Sequence, residues 1–403
     1  MFVDLDFNPD PDQNVIASFH LEAPDIMQGA HSLAAESSVG TWTDITTMKA
    51  RIKKLGATVF KIDKNFIKVA YPVELFEKGN IPLLLSDVAG NVFGLAYLDN
   101  LRLLDLEFPR EYIESFPGPV HGITGVRKIL HTKTRPHVGT IIKPKMGLNP
   151  EETAEVAYQA FTGGCDFVKD DENLSNQTFC PFTERVTRVL ESVDKAAEET
   201  GEPKMYAPNV TSPDFLERAQ FVKDQGGKCV MLDIVTAGFT ALQMLREMKM
   251  VIHGHRAMHA AFTRNVHHGI KMIVIAKVAR LSGVDQLHIG AAVGKMEGGK
   301  EEIQLIRDAI TEDIGIKSVF PVASGGLHPG VVPKLLEFMG TDIIVQAGGG
   351  IHGHPDGTFS GAKAMRQAVD AALNEVPLTE YVKDHEELKK AVDMWGTSYE
   401  AGY

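Results

Sequence analysis

From residue 137 onward the chain alternates short apolar, β-branched runs with helical patterns, and it does so eight times. The strand runs fall near 137–145, 166–172, 205–211, 228–235, 251–257, 286–290, 319–326 and 342–350. Between and after them lie the helical patterns Pro150–Phe161, Glu184–Glu199, Pro213–Lys223, Ala241–Met248, Lys271–Leu281, Glu301–Ile310, Val332–Phe338 and Ala362–Leu373. Strand then helix, repeated in this way, predicts an α/β fold with a C-terminal (β/α)8 TIM barrel, for which roughly 285 residues is ample. Such barrels carry their chemistry at the carboxyl ends of the strands.

Reactive residue types do collect at those ends. The first strand run leads to Lys143-Pro144-Lys145, the second to Lys169, Asp171 and Glu172, and the third to Asn209. The fifth gives His255-Arg256 with His259, the sixth His288, the seventh Ser324-Gly325-Gly326 and the eighth Gly348-Gly349-Gly350. After the sixth, Gly294-Lys295-Met296-Glu297-Gly298-Gly299 reads as a glycine-hinged lid carrying one lysine.

The second end is the most informative. Phe167-Val168-Lys169-Asp170-Asp171-Glu172 is an apolar strand running into one lysine and three carboxylates, and period-2 geometry puts Lys169 and Asp171 on one face. Burying such a cluster is costly unless something binds it, and acidic oxygens suit a hard cation such as Mg2+. Taken singly, each feature has a plainer reading. The acidic triplet could be a solvated loop, and Lys295 an ordinary surface lysine. The glycines could be turn residues, and His253, His259, His267 and His268 satisfied core residues. Recurrence at successive strand ends is what favours a site.

The preceding 1–118 reads as a smaller α+β (ferredoxin-like) domain, ending at the Phe116-Pro117-Gly118-Pro119 cluster, with 119–403 as the catalytic barrel. Asn14–Leu21 and Phe60–Ala70 have strand character, and Asp25–Ser37 and Thr46–Leu55 helical character. Phe93–Tyr97 and Leu101–Glu107 suggest a hairpin around Asp99-Asn100. A net charge of -12 argues against nucleic-acid binding and makes the strand-end cations a local trap for an anion. Cys165, Cys180 and Cys229 lack metal or disulfide spacing, which fits a reducing compartment. The acidic amino terminus is unlike a secretory signal and no run is long enough to span a membrane, so a cytoplasmic location is expected.

The segments AAESSVGTWT, GNVFG, GTIIKPKMGL, GGCDFVKDDEN, HGHRAMHAAFTRN, LHIG with VGKMEG, ASGGLHPG and QAGGGIHGHPDG resemble the large subunit of ribulose-1,5-bisphosphate carboxylase/oxygenase (Rubisco). They follow the family's order over nearly the whole chain and look most like the archaeal-type (form III-like) enzymes. The resemblance implies carboxylation of ribulose 1,5-bisphosphate to two 3-phosphoglycerate, with a side reaction with O2. It implies that activator CO2 forms a carbamate on Lys169, and that this group, Asp171 and Glu172 hold Mg2+. Only a neutral amine attacks CO2, and nearby Lys143 and Lys145 would favour that form.

Lys143 matches the family's acid/base lysine, Lys145 its neighbour, His255 a proton-handling histidine near the substrate hydroxyls, and Lys295 the lid lysine oriented by Glu36. Arg256 and His288 match one phosphate site, while Gly326, Gly348, Gly349, Thr41 and Trp42 match the other. Ser324, with Gly325 beside it, would meet the sugar hydroxyls, and Asn91 the metal's surroundings. In the family, Glu36, Thr41, Trp42 and Asn91 complete a neighbouring subunit's site. The implied assembly is therefore a homodimer or an assembly of dimers, with no small subunit required.

Ile141, Ala291 and Ala292 depart from residues found in some relatives, at positions suited to altering CO2/O2 discrimination. The long carboxyl tail that latches the lid in some relatives has no counterpart before Tyr403, so closure is expected to rest on Lys295 and Glu36. The rival reading is a Rubisco-like enolase or isomerase acting on another phosphorylated sugar. Retention of Lys295, Glu36, Thr41 and Asn91 argues against it.

Overall fold

In the computed structural model, which describes residues 2–41, 43, 45–291 and 299–398, every one of the eight strand runs is a strand of one parallel sheet. The chain divides into two compact units, one of Met1–Gly118 with Met258–Ser282 and Glu312–Ile316, the other of Pro119–Ala257, Gly283–Thr311 and Lys317–Tyr403. No helix among the described residues is long and apolar enough to cross a membrane.

The first unit follows a β-α-β-β-α-β order: β1 (Asn14–Glu22), a helix Ile26–Glu36, β2 (Thr58–Asp63), β3 (Phe66–Pro72), a helix Ile81–Ala89 and β4 (Asn100–Glu107). The sheet order β4-β1-β3-β2 is that of the ferredoxin-like plan. Asp25 caps the first helix by accepting from the N–H groups of Met27 and Gln28, and Asn80 caps the second through Leu83. The stretch read as one strand, Phe60–Ala70, is instead a hairpin turning at Lys64-Asn65. Lys64 sits at φ 54°, a left-handed conformation that a lysine does not advertise. The expected strand Phe93–Tyr97 does not form, since Asn91–Gly94 is a 3-10 turn, and the helix expected over Thr46–Leu55 shrinks to Ala50–Lys53.

The barrel strands are β5 (His137–Ile141), β6 (Phe167–Lys169), β7 (Met205–Ala207), β8 (Cys229–Asp233) and β9 (Val251–His255). After β10 (Gly269–Ile270), which pairs with β4 in the first unit, come β11 (Gln286–His288), β12 (Phe320–Ser324) and β13 (Ile344–Gln346). Each barrel strand hydrogen-bonds to its neighbour, and the seam between β7 and β8 closes through a parallel bridge from Asn209 to Met231. The helix Met272–Ser282, expected as an ordinary barrel helix, groups with the first unit, where Lys277 donates to Asp105 at 2.6 Å.

One end of the barrel is sealed. Phe167, Met205, Cys229, Val251, Phe320 and Ile344 are each the first residue of their strand, and they pack with Val126 of the helix Gly122–Ile129 and with Leu130, which caps it. Asp285 fastens the start of that helix, accepting from the backbone N–H groups of His121 at 2.6 Å and Gly122 at 2.8 Å. Access is left at the carboxyl ends of the strands.

Beneath those ends lies a buried ionic knot. The Asp170 carboxylate accepts from the Tyr206 hydroxyl at 2.6 Å, Arg185 Nε at 3.1 Å and the Asn209 N–H at 3.0 Å. Arg185 is fully buried and its remaining nitrogens donate to the carbonyls of Cys180 and Ser175. Replacing Asp170 with Ala strands that guanidinium, so the expected loss of stability is about 3–5 kcal/mol. Tyr206→Phe removes a single bond to that carboxylate and should cost less, about 1.5–3 kcal/mol. Chemical denaturation of both variants checks the ranking, and equal losses would contradict it.

Candidate active site

β6 ends at Lys169, earlier than its apolar run suggested, and carries that side chain inward. The residue is 1% exposed, and its amine donates to the Asp170 carbonyl at 2.9 Å and faces Met231 Sδ at 3.3 Å. Burial pushes its pKa below the usual lysine range, against the pull of the Glu172, Asp171, Asp233 and Asp170 carboxylates. The cause differs from the one expected, in which Lys143 and Lys145 disfavour the charged form. Lys143 is paired with Asp171 at 2.8 Å, and Lys145 is exposed at the rim.

Asp171 is buried, which alone would raise its pKa, but hydrogen bonds from Lys143 and Asn173 hold the carboxyl below its ordinary value. Glu172 is held more loosely, with Asn173 Nδ2 at 3.4 Å and His255 Nε2 at 3.7 Å. Two carboxylates beside an amine poised to be neutral are a donor set that fits a hard, oxygen-seeking cation. Among the described residues, no third His, Cys, Asp or Glu ligand atom lies close enough to Asp171 and Glu172 to complete a three-ligand group.

On the far side of Glu172, His255 turns its Nδ1 to Asp233 Oδ1 at 2.8 Å, so its orientation is set by a carboxylate at the end of β8. Next to it runs a chain of neutral groups. Gln286 Oε1 meets His253 Nδ1, His253 Nε2 meets His288 Nε2, and His288 Nδ1 meets Ser324 Oγ, each at 2.8 Å. Burial pushes both histidines well below the usual histidine range, and positive neighbours including Lys169 push the same way. With both rings neutral, one direction satisfies every group: His253 donates to Gln286, His288 donates to His253, and Ser324 donates to His288. The Ser324 oxygen is thereby left as an acceptor for a ligand hydroxyl.

Arg256 is 8% exposed, forms no hydrogen bond with another described residue, and burial lowers its pKa to about 10 against the pull of Glu302. A buried guanidinium of this kind is prepared for an anion. Gly325 and Gly326 have φ values of 111° and 75°, which only glycine adopts readily. At Gly348 a Cβ would lie 3.3 Å from Lys143 Cε, so glycine keeps the lysine's path clear, while the space beside Gly349 is open.

In the first unit Glu36 and Asn91 face each other at 3.5 Å across a pocket also lined by Ser37, Ser38, Ser86 and Asp87, and Thr41 is exposed. Trp42 and Lys295 lie outside the described residues.

The structure thus gathers Lys143, Lys169, Asp171, Glu172 and His255 into one cluster, with His288 and Ser324 adjoining it. Sequence reasoning overlooked Asp233, although the run CVMLD ends in an acid just as FVKDD does. His253 passed for a core residue, which its complete burial supports, yet it is the link that fixes the His288 tautomer.

Two family models match the chain. Residues 1–112 match "Ribulose bisphosphate carboxylase large chain, N-terminal domain" and residues 122–395 "Ribulose bisphosphate carboxylase large chain, catalytic domain". The ribulose bisphosphate carboxylase of Methanocaldococcus jannaschii is 47% identical, with 98% of this chain and 99% of that protein covered. The Pyrococcus furiosus protein of the same name is 48% identical over 98% of this chain and 97% of its own length. Among solved structures, the octameric Rubisco of Pyrococcus horikoshii OT3 superposes with a TM-score of 0.95 at 47% identity, covering 99% of this chain and 97% of that one. The dimeric archaeal Rubisco of Hyperthermus butylicus gives 0.93 at 44%, covering 98% and 99%.

The neutral histidines make the site acid-sensitive. His352, which bonds Thr140 and Thr358, is pushed by burial from 6.5 to about 4, and His253 and His288 shift in the same direction. Below pH 6.5 the unfolded chain takes up protons that the folded one refuses, so stability is full above that value and falls as pH drops toward about 4. Each histidine contributes up to about 1.4 kcal/mol per pH unit in that window. Denaturation midpoints measured across it should fall steadily, and a flat profile would contradict neutral burial.

Proposed function

The chain belongs to the ribulose bisphosphate carboxylase large-chain family, and from that premise we propose a mechanism in which Lys169, Asp171 and Glu172 are the hub of ribulose 1,5-bisphosphate carboxylation. The observation that carries it is the buried Lys169 amine, its pKa lowered by burial, set beside two carboxylates. A neutral amine can add to CO2 and release a proton, giving Lys169 the oxygens of a carbamate. Together with Asp171 and Glu172 it would hold Mg2+. When bound, the ion polarises the sugar's carbonyl and hydroxyl oxygens, which acidifies the adjacent C–H.

The remaining steps fall to the chain's own groups. Lys143, released from Asp171, delivers or accepts protons at the reacting carbons. His255, oriented by Asp233, exchanges a proton with a substrate hydroxyl, and Ser324 accepts from another. Arg256 takes one phosphate, with His288 supporting the site through Ser324, and the backbone N–H groups around Gly326, Gly348 and Gly349 take the other. Lys145 and Gly325 shape the rim. Lys295 closes over the substrate, and Glu36, Thr41, Trp42 and Asn91 serve a partner subunit's site in a homodimer or assembly of dimers without small subunits. Relatives described as dimeric and octameric support that assembly. An enolase acting on another sugar is disfavoured, because relatives matched over 98% of this chain carry the carboxylase name.

Purified enzyme preincubated with CO2 and Mg2+ should incorporate labelled bicarbonate into 3-phosphoglycerate when given ribulose 1,5-bisphosphate. Lys169→Ala and Lys295→Ala should each abolish incorporation, and proton exchange without carbon incorporation in the unmodified enzyme would favour the enolase. Asp233→Ala, which frees the His255 ring, should lower kcat about tenfold or more with little change in KM, as expected of a group that orients a proton-transfer residue. An unchanged kcat would remove His255 from the proton path.

A further inference from the structure

We propose that His20, Glu22 and His267, brought together in the first unit by β1 and the 258–282 segment, form a second cation site that takes a borderline transition ion of the zinc class. Among the described residues this is the one group of three potential metal ligands whose donor atoms all lie within 4.8 Å of one another. Its members come from two parts of the chain. His20 and Glu22 are two apart in β1 and therefore project from one face. His267 is two residues before β10, which pairs with β4 so that Gly269 aligns with Arg102, itself the partner of His20.

The three side chains are already hydrogen-bonded to one another. Glu22 Oε1 meets His20 Nε2 and His267 Nδ1, each at 2.8 Å, while Glu22 Oε2 accepts from Asn100 Nδ2 at 2.6 Å. Hydrogen bonds from His20, Asn100 and His267 converge on the Glu22 carboxylate, the oxygen donor of the group. To bind an ion, each imidazole moves its proton to the other ring nitrogen through solvent, leaving Nε2 of His20 and Nδ1 of His267 free to coordinate. Zinc takes nitrogen and carboxylate oxygen at about 2.0–2.2 Å, so the three donors have to separate only slightly from their present spacing.

Other features point to a ligand rather than to a buried pairing. The side chains of His20, Glu22 and His267 are 23%, 26% and 56% exposed, which gives an ion entry and leaves a fourth position to water. Asn100 is placed as the outer partner that fixes the carboxylate. The Asn265 side chain accepts from the backbone N–H groups of His267 at 2.8 Å and His268 at 3.2 Å, holding the loop that presents the third ligand. Two imidazoles and one carboxylate select zinc, cobalt, nickel or copper over magnesium, which prefers oxygen alone. The ion would tie β1 to a segment that starts two residues after Arg256 and so stabilise the first unit by linkage.

The test is a calorimetric titration of dialysed full-length enzyme with Zn2+ under excess Mg2+, with Co2+ as a spectroscopic substitute. The expected result is one equivalent per chain that Mg2+ does not displace, a visible band of tetrahedral Co2+, and a rise in Tm with Zn2+. His267→Gln and Glu22→Gln should each weaken binding by about tenfold or more and remove the Tm rise. Retained affinity in both variants, or equal competition by Mg2+, overturns the proposal. If a variant folds poorly, the unmodified protein decides, since absence of the tetrahedral band is then sufficient to reject the site. Carboxylation plays no part in these readouts, so the result stands apart from the barrel mechanism.

Discussion

The structure depends on keeping one amine out of water without neutralising it by a direct ion pair. Lys169 could have been paired with Asp170, its neighbour in sequence, which would have raised its pKa and closed its chemistry. Instead the Asp170 carboxylate is turned away and satisfied by Arg185, Tyr206 and the Asn209 N–H. Asp171 is likewise engaged, by Lys143. The amine is left with a carbonyl oxygen and a thioether, neither of which carries charge. Burial then governs its protonation, with the nearby carboxylates acting only as a counterweight.

The same logic extends to the histidines. A protonated His253 or His288 would add positive charge beside Lys169 and Arg256, and each ring is placed so that its neutral form satisfies all of its neighbours. A buried hydrogen-bond chain of this kind has one arrangement of lowest energy, which fixes where the Ser324 proton points. The remaining pairs, Lys143 with Asp171 and His255 with Asp233, each set a buried carboxylate against a more exposed nitrogen group.

How legible this was from sequence follows the physics of each element. The barrel was readable because its strands are buried on both sides and so are largely apolar runs, and because six of the eight end on a polar residue. The runs overshot the strands: 166–172 became Phe167–Lys169 and 342–350 became Ile344–Gln346. Several residues beyond the last ladder bond, including Asp170, Asp171 and Ala347, are buried like the strands they follow. Lys169, Asp171, Glu172, Lys143 and His255 were visible as charges out of place on apolar runs. Asp233 was missed because a single terminal acid resembles a turn residue until the histidine it orients is placed beside it. The first domain was less readable. Its β2–β3 turn uses Lys64-Asn65 rather than glycine, so two strands read as one, and the Phe93–Tyr97 strand was inferred from apolar content that in fact fills a 3-10 turn and its exit.

His267 shows a further limit. A histidine in a His-His-Gly run carries no information about partners some 245 residues away, and only the pairing of β10 with β4 reveals that it meets His20 and Glu22. The two cation sites inferred for this chain then differ in the way that selectivity requires. The barrel group offers carboxylates and a lysine that can acquire oxygens, which favours a hard ion with exchangeable waters. The sheet group offers two imidazoles and one carboxylate, which favours a borderline ion held for structure. Magnesium is outcompeted at nitrogen ligands by any later transition ion, so all-oxygen donors at one place and nitrogen donors at another suit two different ions. Separation of donor types, rather than separation in sequence, is what would keep the two ions from exchanging places.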